Sequence, residues 1–376
     1  MRAALGRRTQ AGASRTGKRD AGVKVGKRLT IVDVARAAGV SVGTVSRVLN
    51  GNAKVRPLAR DKVQAAIKEL GYAPNAVAQS MRIKSTHTIG CVIREINLTA
   101  LAAFVRAAHD VLDEAGFSLL LSNSEGQRER ERELLARLSG RRADGIMIGP
   151  YSPVTEEFDA FLRRLNVPIV LIDRDLPAWA DSVMTDHAKG VRDATEHLLK
   201  LGHRRIAIIT GSPALYPARE RIRGYEEALR SRQLEPDPAL IEASSFLPDK
   251  GFRYTSSVLA SRDPPTAIIA GGIGMLPGVL QAIRVRGLSI PGDISVVGAG
   301  DSELSELYAP PISIQRWDQA EIGRFAANLL LDRIRGRADA EPRHVLLPNE
   351  FLARESTGPV KHAGGLGKIA DRVSGA

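Results

Sequence analysis

Residues 30–50 read TIVDVARAAGVSVGTVSRVLN (Thr30–Asn50), and this stretch decides how the chain begins. Thr30 is of the type that caps a helix N-terminus, and residues 30–38 carry a helical apolar period. Gly39 follows as the stop, where a left-handed backbone is cheapest. Ser41 then caps a second helix over 42–49, which ends at Asn50-Gly51. With Ala35 small at the crossing and Val45 turned inward, the pair predicts a helix-turn-helix. Its second helix would enter a DNA major groove with its N-terminal residues nearest the base edges. Thr44 and Ser46 offer short hydroxyls to phosphates or bases, and Arg47 offers the two-pronged contact that guanine favours. Gly43 costs about 1 kcal/mol relative to alanine inside a helix, which points to close approach of DNA there. Val42 has no hydrogen-bonding side chain, so readout beside it rests on thymine methyls or DNA shape. Thr30, Ser41 and Asn50, at the helix ends, complete this candidate DNA-contacting set.

Working outward, Pro57 opens a third helix through Val63, Ile67 and Leu70 to Gly71, which braces the first two. After Tyr72-Ala73-Pro74, residues Asn75–Met81 suit two turns of helix, marginal without DNA or a partner to support them. The charge agrees. Residues 1–84 hold 18 of the 54 Lys and Arg but only 4 of the 42 Asp and Glu, a net of +14 that leaves the remainder at −2. A polyanion partner at one end of a near-neutral body is the implication. Residues 1–28 lack apolar periodicity and read as a disordered basic tail.

Residues 88–350 alternate short apolar runs with amphipathic stretches. Strand-like runs lie at 88–93, 118–122, 145–148, 168–172, 205–210, 267–270 and 295–298, and helical patterns such as 128–138, 188–201, 220–232 and 276–287 lie between them. That alternation predicts parallel sheets covered by helices, with ligands collecting at the carboxyl ends of strands. Other classes are disfavoured. One cysteine, Cys91, supports no disulfide scaffold and fits a reducing compartment. No run of about 20 apolar residues spans a bilayer, and the basic N-terminus has no apolar segment behind it, so a cytoplasmic protein is expected. Gly271-Gly272-Ile273-Gly274 lacks the spacing of a nucleotide loop. Seven scattered histidines have no metal-ligand spacing, and no catalytic triad can be assembled, so neither a cofactor nor an enzyme activity is expected.

The segments TIVDVARAAGVS, TVSRVLNG and GYAPNAVAQS closely resemble the N-terminal signature of the LacI/GalR family of bacterial transcriptional regulators. The resemblance continues through Thr88-Ile89-Gly90, Ala143-Asp144-Gly145-Ile146, Val167–Val170 leading to Asp173-Arg174, and His197-Leu198 with Leu201–Ile206. Arg221–Tyr225, Ile290–Gly298 and Arg354–Thr357 extend it, so that it covers about residues 29–358. It implies a small all-α helix-turn-helix DNA-binding domain followed by an α/β two-lobed, periplasmic-binding-protein-like (type I) effector domain. The expected layout is a basic tail (1–28), the helix-turn-helix domain (29–73), a hinge helix and linker (74–86), the effector-binding and dimerisation domain (87–358) and a C-terminal tail (359–376). Three crossovers near 185, 316 and 338 would join the lobes. By the same resemblance, Asn75, Ala78 and Met81 belong to a hinge helix that folds on specific DNA, with Met81 as an apolar wedge in the minor groove. A homodimer on a pseudo-palindromic operator is implied, its grip set by a small molecule between the lobes and no membrane involved.

The expected effector set is Asn97, Asp173, Arg174, Arg221, Gly272, Gly300, Asp301 and Trp317. Asp173 matches a position that bonds a sugar hydroxyl, and Arg221 an arginine that reaches the ligand from the second lobe. Several positions depart from the family pattern: Gly272 and Gly300 replace polar residues, Trp317 replaces a glutamine, and the first-strand loop reads Asn97-Leu98-Thr99-Ala100. The expectation is an enlarged pocket with an aromatic face, for an effector that is sugar-related or larger and flatter and stacks on Trp317. The alternatives are a pocket that has lost its ligand, or a solute-binding protein of transport that shares the body.

Overall fold

The computed structural model describes residues 29–49, 55–72, 85–151 and 153–360, in two compact units divided in sequence between Arg82 and Ile83. The first unit holds α1 (Ile31–Ala38), α2 (Val42–Leu49) and α3 (Pro57–Leu70). Local chemistry sets each boundary. The Thr30 N–H donates to the Asp33 carboxylate (2.9 Å), and α1 stops at Gly39, whose φ of 65° is left-handed. The N–H of Val40 then returns to the carbonyl of Ala35 (3.1 Å), a Schellman closure. Pro57 occupies the first position of α3, where a missing N–H costs nothing, and Gly71 (φ 61°) ends it. Val34, Ala35, Ala38, Val45, Val63 and Ala66 form the small core.

The second unit has two lobes. Lobe 1 begins with β1 (Thr88–Ile93), α4 (Thr99–Glu114), β2 (Ser118–Asn123), α5 (Arg128–Gly140), β3 (Gly145–Ile148), α6 (Glu156–Arg164), β4 (Ile169–Ile172) and β5 (Asp181–Thr185). Through α7 (His187–Lys200) the chain enters lobe 2: β6 (Ile206–Gly211), α8 (Tyr216–Arg230), a 3-10 turn (Pro238–Leu240), β7 (Ile241–Ser244), α9 (Pro248–Val258), β8 (Ala267–Ala270), α10 (Leu276–Val285), β9 (Ser295–Ala299), α11 (Glu303–Leu307) and β10 (Ser313–Arg316). The helix α12 (Gln319–Ile334) returns to lobe 1, followed by β11 (His344–Leu347), and β12 (Glu350–Leu352) closes the second sheet. The strand orders are β2-β1-β3-β4-β5-β11 and β7-β6-β8-β9-β10-β12, parallel except for the β10–β12 pair. Each order reverses beside its first strand, β1 or β6. That reversal opens a crevice at the carboxyl ends of the strands, and the two crevices face each other.

Ile89, Ile146, Met147, Val170 and Val183 in lobe 1, and Ile208, Ile268, Ile269, Val296 and Ile314 in lobe 2, are fully buried. Such near-continuous apolar runs are what a sheet covered on both faces requires. The expected strands at 88–93, 145–148 and 267–270 match in full, while α8 starts at Tyr216 rather than at 220 because Pro217 suits the first helical turn.

The crossovers lie at 185–187, 316–319 and 347–350. The third is therefore later than the expected 338. The reason is β11, which pairs in parallel with β5, Val345 against Val183, and so stays in lobe 1. A buried carboxylate fixes this pairing. Asp181 accepts from Arg333 (Nε, 3.0 Å) and from Arg343 through both its backbone N–H (2.8 Å) and Nη2 (2.9 Å). Among the described residues no helix is long and apolar enough to cross a membrane.

Candidate functional site

In the first unit, α2 divides into two faces. Val45 is completely buried against α1 and α3, while Ser41, Val42, Gly43 and Arg47 are exposed and Thr44 and Ser46 half-buried. Residues four apart share a helix face, so Gly43 lies under Arg47 and Val42 under Ser46. Thr44 donates its N–H to Ser41 Oγ (3.2 Å), and the two hydroxyls are 3.0 Å apart, so Ser41 is the cap of this helix. The Thr30 hydroxyl is likewise engaged, donating to Asp33 (2.7 Å). A Cβ built on Gly43 would meet nothing nearer than Ser41 Oγ at 3.8 Å. Among the described residues nothing demands glycine there. Asn50, Asn75, Ala78 and Met81 lie outside the described residues.

In the second unit, the facing crevices form a cavity of about 160 Å³. Lobe 1 contributes the ends of β1 (Cys91–Arg94), β3 (Gly149) and β4 (Ile172, Asp173, Arg174). Lobe 2 contributes Pro217 and Arg221 from α8, Phe246 after β7, and Gly272 and Ile273 after β8. Trp317 and Gln319 come from the second crossover.

A chain of three polar groups, two of them buried and Asp173 half-buried, joins the lobes. Arg221, 3% exposed, places Nη2 3.1 Å from Nδ1 of the fully buried His187, whose Nε2 lies 2.7 Å from Asp173 Oδ2. A guanidinium only donates, so Nδ1 must accept and Nε2 must carry the hydrogen given to Asp173. His187 is therefore neutral. Burial, and next the Arg221 charge, hold its pKa below the ordinary value. Burial works to raise Asp173, but His187, Arg221 and Arg174 outweigh it and hold the carboxyl below the usual range. Burial brings Arg221 down to about 10, so it remains charged at neutral pH. Asp173 itself has φ 54°, and its Oδ1 accepts from the N–H of Thr185 (3.2 Å).

Further contacts among the described residues also join the lobes: Arg219 pairs with Asp175, the hydroxyls of Tyr151 and Ser245 are 3.3 Å apart, and the Tyr216 hydroxyl donates to the Thr185 carbonyl (3.0 Å).

Of the expected effector set, Asp173, Arg174, Arg221, Gly272 and Trp317 line this cavity, while Asn97, Gly300 and Asp301 do not. Asn97 is exposed beyond β1, its N–H bonded to Glu95 (3.3 Å). Asp301 is paired with Arg354 (3.1 Å) beside Gly300, in a neighbouring recess. The expected enlargement is also corrected. A Cβ on Gly272 would lie 2.9 Å from both Phe246 and Met275, and one on Gly300 would lie 3.0 Å from Ile273. The space left by the missing polar side chains is filled by apolar ones.

His187, Arg94, Phe246 and Gln319 were not singled out from the sequence. His187 stands at the end of the first crossover, but nothing in the sequence ties it to Arg221, 34 positions on. Among the described residues no cluster of His, Cys, Asp and Glu could hold a metal.

Comparison with known proteins supplies the lineage. Residues 30–75 match the model of bacterial regulatory proteins of the lacI family, and 195–357 that of a periplasmic binding protein-like domain. The HTH-type transcriptional repressor PurR of Haemophilus influenzae (strain PittEE) is 32% identical over 87% of this chain and 98% of its own. The chain belongs to the LacI family. Catabolite control protein A of Priestia megaterium is 33% identical, covering 88% of this chain and 99% of its own. A crystal structure of the Lac repressor dimer bound to operator and the anti-inducer ONPF superposes with a TM-score of 0.77 at 32% identity, over 88% of this chain and all of that one. This LacI-family member is accordingly a DNA-binding transcriptional regulator with a two-lobed effector-binding domain. Because these relatives align over nearly their whole length, N-terminal unit included, the transport solute-binding alternative is not favoured.

Proposed function

We propose that this regulator is a homodimeric repressor of a catabolic or transport operon that places one α2 in each half of a pseudo-palindromic operator. The observation that carries this reading is the solvent-facing set Val42, Gly43 and Arg47, with Ser46 half-buried beside them, on a helix whose other side is anchored by Val45. Arg47 reads guanine, Gly43 admits the DNA backbone or base edge, and Thr44 and Ser46 serve phosphates. Asn75, Ala78 and Met81 act at the hinge, with Met81 as the minor-groove wedge. The cleft is the control site and carries out no catalysis. An effector there touches both lobes, so it binds two lobe arrangements unequally, and this difference in affinity shifts the DNA-competent population.

Selection of random duplexes with the full chain tests the reading. A two-fold symmetric consensus is expected; recovery of sequences without symmetry or preference would refute it.

A further inference from the structure

The chemistry of the cleft specifies more than a generic small molecule. Three guanidiniums line the cavity, from Arg94, Arg174 and Arg221, against the single carboxylate of Asp173. That carboxylate is already committed to His187 and to the Thr185 N–H. Asp173, Glu131 and Asp175 act on the Arg174 charge and Glu95 on that of Arg94, but among the described residues none of the three arginines forms a close ion pair with a carboxylate. Arg174 donates to two backbone carbonyls, of Pro150 (2.6 Å) and Asp173 (2.7 Å), rather than to an acid. Arg94 stands 5.8 Å from the Tyr151 ring centroid and forms no ion pair among the described residues. Arg221 Nε is buried without an acceptor among the described residues, and its guanidinium carbon lies 5.7 and 5.8 Å from the ring centroids of Phe246 and Trp317. A buried N–H donor on a cation calls for an acceptor.

The remaining wall is apolar, with Leu101, Phe104, Ile172, Ile273 and Ile322 joining Trp317. A neutral polyol can accept from the guanidiniums through its hydroxyl oxygens, but each hydroxyl also brings a hydrogen that needs an acceptor, and the apolar wall offers none. A carboxylate brings acceptors only. Size narrows the choice further: about 160 Å³ is close to the roughly 150 Å³ that accommodates one benzene ring. The two glycines complete the picture. Gly272 admits Phe246, and Gly300 admits Ile273 against Trp317, so the loss of polar positions and the gain of aromatic walls are one change.

We propose that the cleft takes a small carboxylate carried on an apolar body about the size of a single ring, with the carboxylate on Arg221 and the ring against Trp317. This rests on the cleft being the effector site. Arg94 and Arg174 add the long-range attraction that selects an anion over its neutral isostere.

Benzoate and benzamide, equal in shape and different in charge, are the probes, with ribose and cellobiose as neutral polyols. Melting temperature and tryptophan fluorescence of the full chain are read in buffer of constant ionic strength. Benzoate is expected to raise the melting temperature saturably and to quench fluorescence, with benzamide at least tenfold weaker. Arg221→Gln is expected to abolish the benzoate response; should that variant not fold, Arg94→Gln is expected to weaken benzoate severalfold and leave benzamide unchanged. Equal responses to benzoate and benzamide, or a response to the sugars alone, overturn the ligand class and leave the cleft as the effector site. No response to any probe overturns both, while operator selection remains an independent test of DNA binding.

Discussion

On α2, Val42, Gly43 and Arg47 face solvent and Thr44 and Ser46 are half-buried, whereas in the cleft His187 and Arg221 are buried, Asp173 is half-buried, and the three hold one another across two lobes. The difference lies in what each surface must do. A helix that reads a groove needs donors and bare backbone presented outward, so its side chains are free to change without disturbing the core. A site that couples ligand to lobe arrangement needs its polar groups fixed by contacts from both lobes, so the same atoms serve stability and recognition. Substitutions on α2 should therefore change binding alone. Substitutions in the cleft should change folding and binding together.

The largest expected effect breaks the comparison at its outward end. Arg47→Ala should lower the preference for operator over random DNA by about 100-fold, since a two-pronged base contact discriminates by about 1–3 kcal/mol. Unfolding of the chain should shift by no more than about 0.5 kcal/mol. Competition binding and thermal denaturation read the two halves, and an intact preference would remove Arg47 from the site. At the inward end, Asp173→Ala should cost about 2 kcal/mol, because it strips His187 Nε2 of its acceptor in a buried setting. Denaturant melts check this, and an unchanged midpoint would mean that the three-residue chain does not brace the lobes.

A smaller effect sharpens the contrast. Gly43→Ala should stabilise the first unit by about 0.5–1 kcal/mol, since a Cβ there makes only an ordinary contact with Ser41 Oγ at 3.8 Å among the described residues, and should nevertheless weaken operator binding. If binding is unaltered, glycine is not there for close approach to DNA.

The smallest concerns pH. His187 is neutral and buried, with its folded pKa below the unfolded value of about 6.5. Between those two values the unfolded chain binds more protons, so stability should fall as pH drops below about 6.5. His197 and His203, also held below their ordinary value chiefly by burial, act in the same sense. His187→Gln should flatten part of the slope of melting temperature against pH between 7 and 5; an identical slope would contradict the assignment.

The sequence revealed most where local chemistry punctuates it. Thr30, Gly39, Ser41, Pro57 and Gly71 bound their helices through caps and turns that neighbours alone determine, and all three helices lie where those residues predict. The buried strands at 88–93 and 267–270 were equally plain, because a run of apolar residues between loops has one good solution inside a covered sheet. The third crossover lies beyond the position that composition predicts because β11 is decided by Asp181, more than 150 residues away. In the cleft, Gly272, Gly300 and Trp317 stood out as departures, but what fills their space did not. Phe246 reaches Gly272 from a different loop, and no periodicity connects the two. Asp301 looked available until Arg354, 53 residues further on, proved to hold it.

The central claim is that the basic N-terminal unit reads DNA sequence rather than merely attracting phosphate. Its most direct test is the ratio of affinities for the selected operator and for a scrambled duplex of the same length, measured with the full chain at one fixed salt concentration. The account predicts a ratio of about 10³ or more. A ratio near one, with both affinities falling in parallel as salt rises, would contradict it.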